Sequence, residues 1–389
     1  MAADHVDVSA TSPRFQVSPQ RPSSGEGGAL NLAFVIFATA AATWVTALFV
    51  LGSHARPMNV TVVSETQIAA SSATSWRDFS AASVAAAARS PLTAHVPSWV
   101  FAPQAAATSS DCSVKLKDVL KFSRSQSGED LFAFEAFFPC ARGGRVMLES
   151  GGYNGRHLSN SALFEDGLGW RSVLLEASPH NYAAMIAARP NALNINAAIC
   201  GEVRPVHYVG DAQSAVSGIW EFMDDGFRQD WWAKTAGMGG DAERGADGQW
   251  KLPSAAHPLV CRPMGGIFQM FGISHVDFWS LDLEGGELQA LRSWDFSQVT
   301  VDVIAIEWGD GTKESERGIS ALLLSKGFTH VATAMRSAWF VRSASNIIDP
   351  AGRAKAVQSS WAASGDQYPG RGPCASTHPD RARIGICDE

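Results

Sequence analysis

Short apolar runs that end on an acidic residue alternate with helix-like segments from residue 146 to residue 326. The apolar runs, each of strand length, cover 146–149, 172–176, 276–282 and 301–307. The segments with apolar residues at helical spacing cover 156–166, 179–189, 284–292 and 314–326. Because parallel strands need a crossover between them, the alternation predicts an α/β fold: a parallel sheet with helices on both faces.

Weaker patterns predict the remaining elements of the domain. They are two helical pieces hinged at Ser127-Gly128 within 114–138, a strand over 193–198, a hairpin strand over 206–209, a helix over 265–272, and a closing strand pair over 330–333 and 339–342. Residues 350–389 show no such pattern and are expected to be loop-like, with Cys374 and Cys387 as a candidate staple.

The N-terminal part of the chain divides into three stretches of different composition. Residues 1–28 are rich in Ser, Pro and Gly, which predicts a disordered tail. Residues 29–52 carry no charge, and about 24 residues form a helix of roughly 36 Å, enough to cross about 30 Å of hydrocarbon. They are therefore predicted to form a transmembrane helix. Residues 53–110, rich in Ala, Ser and Thr, are expected to be a stem with a short helix around 81–89.

The folded domain is predicted to cover 111–349. An irregular insertion interrupts it at 210–258, where Gly and Asp are frequent and Trp220, Trp231, Trp232 and Trp250 occur. A stretch of this length without periodicity is usually a lid, a binding loop or a disordered segment. The tryptophans favour an ordered lid.

A glycine turn followed by an acidic strand end is the main candidate for ligand binding. Gly151, Gly152 and Gly155 follow the first strand of the domain, where a sharp turn and close approach to a ligand require small residues. Glu176 ends the next strand, about 20 residues later, the place where nucleotide-binding βαβ units hold ribose hydroxyls. The pattern predicts a nucleoside site. The nicotinamide fingerprint does not fit, because Ser150 stands in place of its first glycine.

Several short motifs carry a family resemblance in their order and spacing. They are 125–126 (SQ), 130–132 (DLF), 149–155 (ESGGYNG), 158–161 (LSNS), 169–170 (GW), 174–176 (LLE), 261–263 (CRP), 278–287 (FWSLDLEGGE) and 304–307 (IAIE). From about 125 to 342 the chain resembles the FkbM-type family of S-adenosylmethionine (SAM) dependent methyltransferases, particularly its membrane-anchored members. The resemblance implies a seven-stranded, Rossmann-like class I methyltransferase sheet, SAM as cofactor, and O-methylation of hydroxyls on sugars or secondary metabolites. Asn154 departs from the family pattern, which often has Asp there.

The residue types at the glycine turn suit SAM. Glu176 can accept hydrogen bonds from both ribose hydroxyls, and Glu149 can face the methionyl ammonium. The alternative for both is a solvated strand end.

A second group of acids follows the strand over 276–282. Asp282 is the first candidate for the base or orienting acid that methyl transfer to a hydroxyl needs, and Glu307 ends a neighbouring strand. Glu284 and Glu287 can instead compensate a helix dipole. A metal between Asp282 and Glu307 is conceivable, but two carboxylates in a sequence fix no geometry, and no metal site is assigned.

The net charge and the positions of the cysteines indicate which partners and which cellular compartment to expect. The net charge of −7 argues against a nucleic-acid partner. All six cysteines follow the apolar span, which suits an oxidising lumen, so we expect the domain to lie in the endoplasmic reticulum or Golgi lumen. Cys200 and Cys261 flank the insertion and are a candidate disulfide, as are Cys112 and Cys140.

The acceptor is predicted to be a hydroxyl of a glycan or secreted metabolite. Tryptophans of the insertion can stack on sugar C–H faces while Asp224, Asp225 and Asp230 accept hydroxyl hydrogen bonds. The alternative is that these tryptophans only pack the insertion onto the domain. A non-catalytic, membrane-anchored trafficking adaptor with the same fold is the rival function.

Overall fold

The computed structural model describes residues 92–100, 114–210, 217–233, 241–308 and 313–363, and the backbone alone of 35–39, 42–49, 58–63 and 101. The strands are β1 (Val35–Thr39), β2 (Ala42–Phe49), β3 (Met58–Val63), β4 (Leu92–His95), β5 (Val146–Ser150), β6 (Arg171–Glu176), β7 (Leu193–Asn196), β8 (Ala198–Ile199), β9 (Arg204–Val209), β10 (Gly218–Ile219), β11 (His257–Arg262), β12 (His275–Leu281), β13 (Thr300–Glu307), β14 (Phe328–Ala334) and β15 (Ser337–Arg342). The α-helices are α1 (Leu116–Val119), α2 (Glu129–Phe137), α3 (Pro179–Ala188), α4 (Asp225–Phe227), α5 (Met264–Met270), α6 (Glu287–Arg292), α7 (Lys313–Ser325) and α8 (Pro350–Ala363). Short 3₁₀ turns cover Ser98–Phe101 and Leu120–Phe122, and π turns cover Leu163–Gly167 and Arg228–Trp232.

The centre of the molecule is a doubly wound sheet with the strand order β7-β6-β5-β12-β13-β15-β14. Strands β7 to β13 pair in parallel, and β15 runs antiparallel to both of its neighbours. The chain moves outward from β5 to β7 and then returns to the other side of β5 with β12. The border of β5 and β12 is therefore the topological switch point, where open α/β sheets bind ligands. The expected α/β fold is confirmed.

Two apolar layers cover the faces of this sheet, because adjacent residues of each strand point to opposite sides. Leu148, Trp279 and Ile304 lie in one layer. Their chain neighbours Met147, Phe278 and Val303 lie in the other. The central strands are thus buried on both faces, which explains why they read as continuous apolar runs rather than alternating ones.

Strand β4 pairs with the edge strand β7, and β3, β2 and β1 continue the sheet beyond it. A transmembrane helix was expected over 29–52. The structure has the strands β1 and β2 in that span instead of a helix. The remaining residues of the span lie outside the described residues. The two strands themselves contain Val, Ile, Thr, Phe and Trp, which favour extended backbone, although Ala is the commonest residue of the whole span. Among the described residues, no helix is both long enough and apolar enough to cross a membrane. The tail over 1–28 and the helix around 81–89 also lie outside them.

Two further expectations were wrong: one predicted helix is much shorter than expected, and one helix forms where a loop was expected. The predicted helix over 156–166 is reduced to the π turn Leu163–Gly167 with one helical residue at each end, because the residues before it bond to a buried glutamate instead. In the C-terminal part, Pro350–Ala363 forms helix α8 where loop was expected. This helix packs on α2, and Trp361 Nε1 donates to Glu135 at 2.6 Å.

A second, smaller sheet with the order β10-β9-β11-β8 stands beside the end of β7. The predicted disulfide between Cys200 and Cys261 is confirmed, and it joins the residue after β8 to β11. The Asn196 side-chain amide donates to the carbonyls of Glu176 and Ala177 at 2.8 and 3.0 Å. These bonds fix the end of β7, just before the small sheet begins, to the end of β6. Cys112, Cys374 and Cys387 lie outside the described residues.

Candidate active site

A cavity of about 270 Å³ opens at the carboxyl ends of β5, β6, β12 and β13. The small sheet and the insertion form its other walls. Of the acids that the sequence predicted for a site, Glu149, Glu176, Asp282, Glu284 and Glu307 line it, whereas Glu287, Asp224, Asp225 and Asp230 do not. Both predicted acidic groups therefore face one space, at the switch point of the sheet.

The glycine turn contacts protein atoms where a ligand was expected. Gly151 has a φ of +87°, and a Cβ there would overlap with the Asp282 carbonyl oxygen. A Cβ on Gly152 would lie 2.7 Å from Met185 Sδ, and one on Gly155 would lie 3.0 Å from Arg189 Cγ. The missing side chains thus let the turn pack against β12 and α3. Gly151 still lines the cavity with its backbone.

Glu149 holds the segment that follows the turn. The Asn160 backbone N–H donates to its Oε1 at 2.6 Å, and the hydroxyls of Ser159 and Ser161 donate to its Oε2 at 2.9 and 2.5 Å. Burial raises the pKa of this carboxyl, opposed by the Ser161 hydrogen bond and by the charge of Arg189. Glu149 lines the cavity, and its hydrogen bonds show that it also stabilises the 159–161 segment.

Glu176 lies at the end of β6 and joins the glycine turn to helix α3. Its Oε2 accepts from the Tyr153 backbone N–H at 2.8 Å and its Oε1 from the Ser178 N–H at 2.7 Å. Burial raises the pKa of Glu176 to about 7. Since a carboxylate has about four lone-pair sites, each oxygen keeps the capacity to accept from a ligand hydroxyl.

Three carboxylates gather on the other side of the cavity. Asp282, Glu284 and Glu307 each offer an oxygen, and these oxygens lie within 4.8 Å of one another. Burial, followed by the charges of Glu307 and Glu284, raises the pKa of Asp282 well above its ordinary value. Arg336 pairs with Glu307 at 3.0 Å. The same spacing is also compatible with a divalent cation.

Glu287 is directed away from this group, into its own loop. Its Oε1 accepts from the backbone N–H groups of Leu283 and Gly285 at 2.8 and 3.2 Å. Burial raises its pKa. Glu287 therefore shapes the loop that carries Glu284, which agrees with the capping role left open by the sequence.

Strained backbone concentrates around the cavity. Tyr153, Leu158, Glu284 and Arg336 all have positive φ values between 47° and 58°, and all four line it. A bulky residue in this conformation costs on the order of 1–3 kcal/mol, and such residues cluster at functional sites.

The insertion contributes one tryptophan to the cavity. Trp231 lines it together with Phe222 and Phe227. Trp220, Trp232 and Trp250 instead form the insertion's own apolar cluster. The Asp224 carboxylate accepts from the Phe227 N–H and so caps α4, and Asp225 is ion-paired to Arg244 at 2.8 Å. Most of the insertion residues that were predicted to contact a sugar therefore make contacts within the protein instead.

The structure adds residues that the sequence patterns did not single out. Gln126, Glu129, Tyr208 and Arg336 line the cavity. Burial raises the pKa of Glu129 to about 7. Gln126 is part of the SQ motif, and that was the available signal for this wall. No periodicity marks Tyr208 or Arg336, because the small sheet and the β14–β15 turn reach the site only through the tertiary fold.

A second cluster of metal-ligand types lies at the opposite edge of the sheet. His275, Asp277 and Asp302 offer ligand atoms within 4.8 Å of one another. Arg145 pairs with Asp277 and Arg342 with Asp302, both at 2.6 Å. Because two arginines already balance the two aspartates, this cluster is an ion-pair network between strands.

The strand order, with the cavity at the switch point of the sheet, defines a Rossmann-like α/β domain. Residues 149–340 match the methyltransferase FkbM domain family. The chain therefore carries a methyltransferase domain of the FkbM family, as its motifs suggested. No curated protein and no solved structure matches the chain.

Proposed function

We propose that the chain is a SAM-dependent O-methyltransferase that acts on a carbohydrate hydroxyl. The observation that carries the proposal is one cavity with Glu176 at the end of β6 and the Asp282, Glu284 and Glu307 carboxylates at the ends of β12 and β13. The first acid suits a ribose, and the second group suits a reacting hydroxyl. Their separation across the switch point matches a cofactor on one side and an acceptor on the other.

The charge of the cavity supports SAM as the cofactor. Among the described residues that line it, six carry a carboxylate and one is an arginine. A ligand with a sulfonium and an ammonium group suits such surroundings. Glu176 would hold the ribose, and the backbone at Gly151 and the Glu149 side chain would border the methionyl end. The sulfonium, when bound, supplies the methyl group.

The cluster of the Asp282, Glu284 and Glu307 carboxylates supports a role for Asp282 as the base that acts on the acceptor hydroxyl. A hydroxyl becomes a better nucleophile when a positioned base removes its proton during transfer. We assign this role to Asp282, with Glu307 beside it. Burial, followed by the charges of Glu307 and Glu284, raises the pKa of Asp282, which strengthens Asp282 as a base once it is deprotonated.

The aromatic wall supports a carbohydrate as acceptor. Phe222, Phe227 and Trp231 border the same cavity as the carboxylates. Sugars present C–H faces that stack on aromatic rings and hydroxyls that donate to carboxylates. A glycan or a sugar-bearing metabolite satisfies both kinds of surface.

The setting proposed is the secretory lumen. The Cys200–Cys261 disulfide supports an oxidising compartment. Attachment to a membrane through the uncharged 29–52 segment stays a prediction from the sequence. Protease protection on sealed microsomes tests the lumenal position. Digestion of the domain from the cytosolic side would contradict the proposal.

The deciding experiment has two stages. Calorimetry with S-adenosylhomocysteine and the full chain should give saturable binding that Glu176→Ala weakens. Transfer of labelled methyl from SAM to a panel of glycans should then be measured with and without a chelator. Absence of any binding contradicts the proposal, and binding without transfer favours a non-catalytic adaptor. Transfer to protein or lipid would keep the activity and change the acceptor.

A further inference from the structure

The small sheet forms a wall of the cavity next to Glu176. Its contribution consists of Ala198 and Ile199 from β8, Tyr208 from β9, and Gly218 and Ile219 from β10. The Asn196 amide fixes the end of β7, just before β8 begins, to the end of β6, and the Cys200–Cys261 disulfide joins the residue after β8 to β11 within the small sheet. The position of its side chains relative to Glu176 is therefore set by the fold.

Tyr208 brings a hydroxyl to an otherwise apolar wall. Its ring packs in the apolar cluster of the small sheet, and the residue is 4% exposed although it lines the cavity. The side chains of Ser217 and Ser178 lie beside its hydroxyl and oppose the rise in its pKa that burial causes. Burial, and then the charge of Glu176, raises the pKa of Tyr208, so the hydroxyl keeps its proton at physiological pH.

Ser178 connects Tyr208 to Glu176. The Ser178 backbone N–H donates to Glu176 at 2.7 Å, while its side chain lies beside the Tyr208 hydroxyl. One serine thus lies between a carboxyl group and a hydroxyl that can both donate and accept. A ribose diol offers two groups that each donate and accept, and it fits such a pair better than it fits a carboxylate alone.

We infer that Tyr208 is a ribose-positioning residue of the cofactor site, acting beside Glu176; the inference rests on the proposed function. The competing explanation is that Tyr208 only fills the small sheet. The two explanations differ in one atom, because phenylalanine keeps the ring and removes the hydroxyl.

The test compares Tyr208→Phe with Tyr182→Phe in the full chain. Tyr182 is equally buried, packs against Leu174 and Met185, and is not among the residues that line the cavity. The probes are S-adenosylhomocysteine and its 2′-deoxy and 3′-deoxy ribose analogues, measured by calorimetry. Circular dichroism and thermal melting verify that both variants fold.

Tyr208→Phe should weaken binding of S-adenosylhomocysteine by roughly 3- to 10-fold, the range for one hydrogen bond. The penalty for removing one of the two ribose hydroxyls should shrink in this variant, and Tyr182→Phe should leave all affinities unchanged. The inference is overturned if Tyr208→Phe binds like the wild type, or if all three probes weaken equally. If Glu176→Ala still weakens binding in either case, the proposed function stands. If the wild-type chain binds none of the probes, both the inference about Tyr208 and the proposed function are wrong.

Discussion

The backbone carbonyl of Asp282 occupies the space that a side chain on Gly151 would need. This contact joins the glycine turn after β5 to the acid-bearing loop after β12, across the switch point of the sheet. The Asp282 N–H also donates to the Ser150 carbonyl at 3.2 Å. The two halves of the candidate site are therefore held together by backbone packing that only glycine permits.

Gly151→Ala should consequently destabilise the fold and separate the two halves. We expect a loss of about 3 kcal/mol or more in the free energy of unfolding, because a strained φ and a steric overlap add. Gly169→Ala is the matched control, since Gly169 has a φ of +70° with nothing within 4 Å of the added Cβ. It should cost only about 1–2 kcal/mol. Equal losses in urea denaturation would show that the Asp282 contact is unimportant.

Ligand affinity should depend on pH through Glu176. Burial raises the pKa of Glu176 to about 7, and a ribose hydroxyl can donate only to the ionised form efficiently. Affinity for S-adenosylhomocysteine should therefore fall as pH decreases below about 7, by up to about tenfold per pH unit. Glu176→Gln should bind weakly and lose this dependence. A pH dependence that persists in Glu176→Gln would assign it to another group, such as Glu129.

Local patterns predicted the sheet and its acids well, because buried parallel strands are short, apolar and separated by helices of clear period. They failed where a distant residue decides the backbone. Ser159 and Ser161 look compatible with a helix, yet their hydroxyls donate to buried Glu149 and delay the helix start. Helix α8 lacks a strong apolar stripe, and it forms against α2, whose Glu135 lies 226 residues before its partner Trp361.

The same limit applies to the site. The sequence indicated that Asp282 and Glu307 end neighbouring strands, and the register places Leu281 opposite Ile306 on β12 and β13. It contained no sign that Arg336 would pair with Glu307, since this requires the β14–β15 turn to return to the cavity.

Reduction of the Cys200–Cys261 disulfide should loosen the small sheet. Its two cysteines are 61 residues apart, and a cross-link of this kind stabilises by about 2–4 kcal/mol. Cys200→Ser with Cys261→Ser should lower the thermal midpoint and weaken S-adenosylhomocysteine binding, because β8 and β9 supply cavity walls. Reductant should weaken S-adenosylhomocysteine binding in the wild type and leave it unchanged in the double variant, which keeps the disulfide of Cys140. An unchanged affinity would mean that the walls stay in place without the cross-link.

Asp282→Asn should separate catalysis from cofactor binding. The Asp282 side chain belongs to the carboxylate group, while Glu176 lies at the end of another strand, so affinity for S-adenosylhomocysteine should change little. Methyl transfer should fall by about 100-fold or more, the usual loss when a positioned base is removed. Asp247→Asn, an exposed change of the same chemistry, is the control and should be neutral.

The pH profile of transfer decides what Asp282 does. Because burial and the charges of Glu307 and Glu284 raise its pKa well above the ordinary value, Asp282 holds a proton until the pH exceeds that raised pKa. A general base must be deprotonated, so kcat should rise with pH and then level off as Asp282 ionises. Replacing Glu307 with Gln removes the largest neighbouring charge, lowers the pKa of Asp282, and should shift this rise to lower pH. A kcat that falls with rising pH would instead assign Asp282 the role of a protonated hydrogen-bond donor to the acceptor, and full activity of Asp282→Asn would exclude both roles.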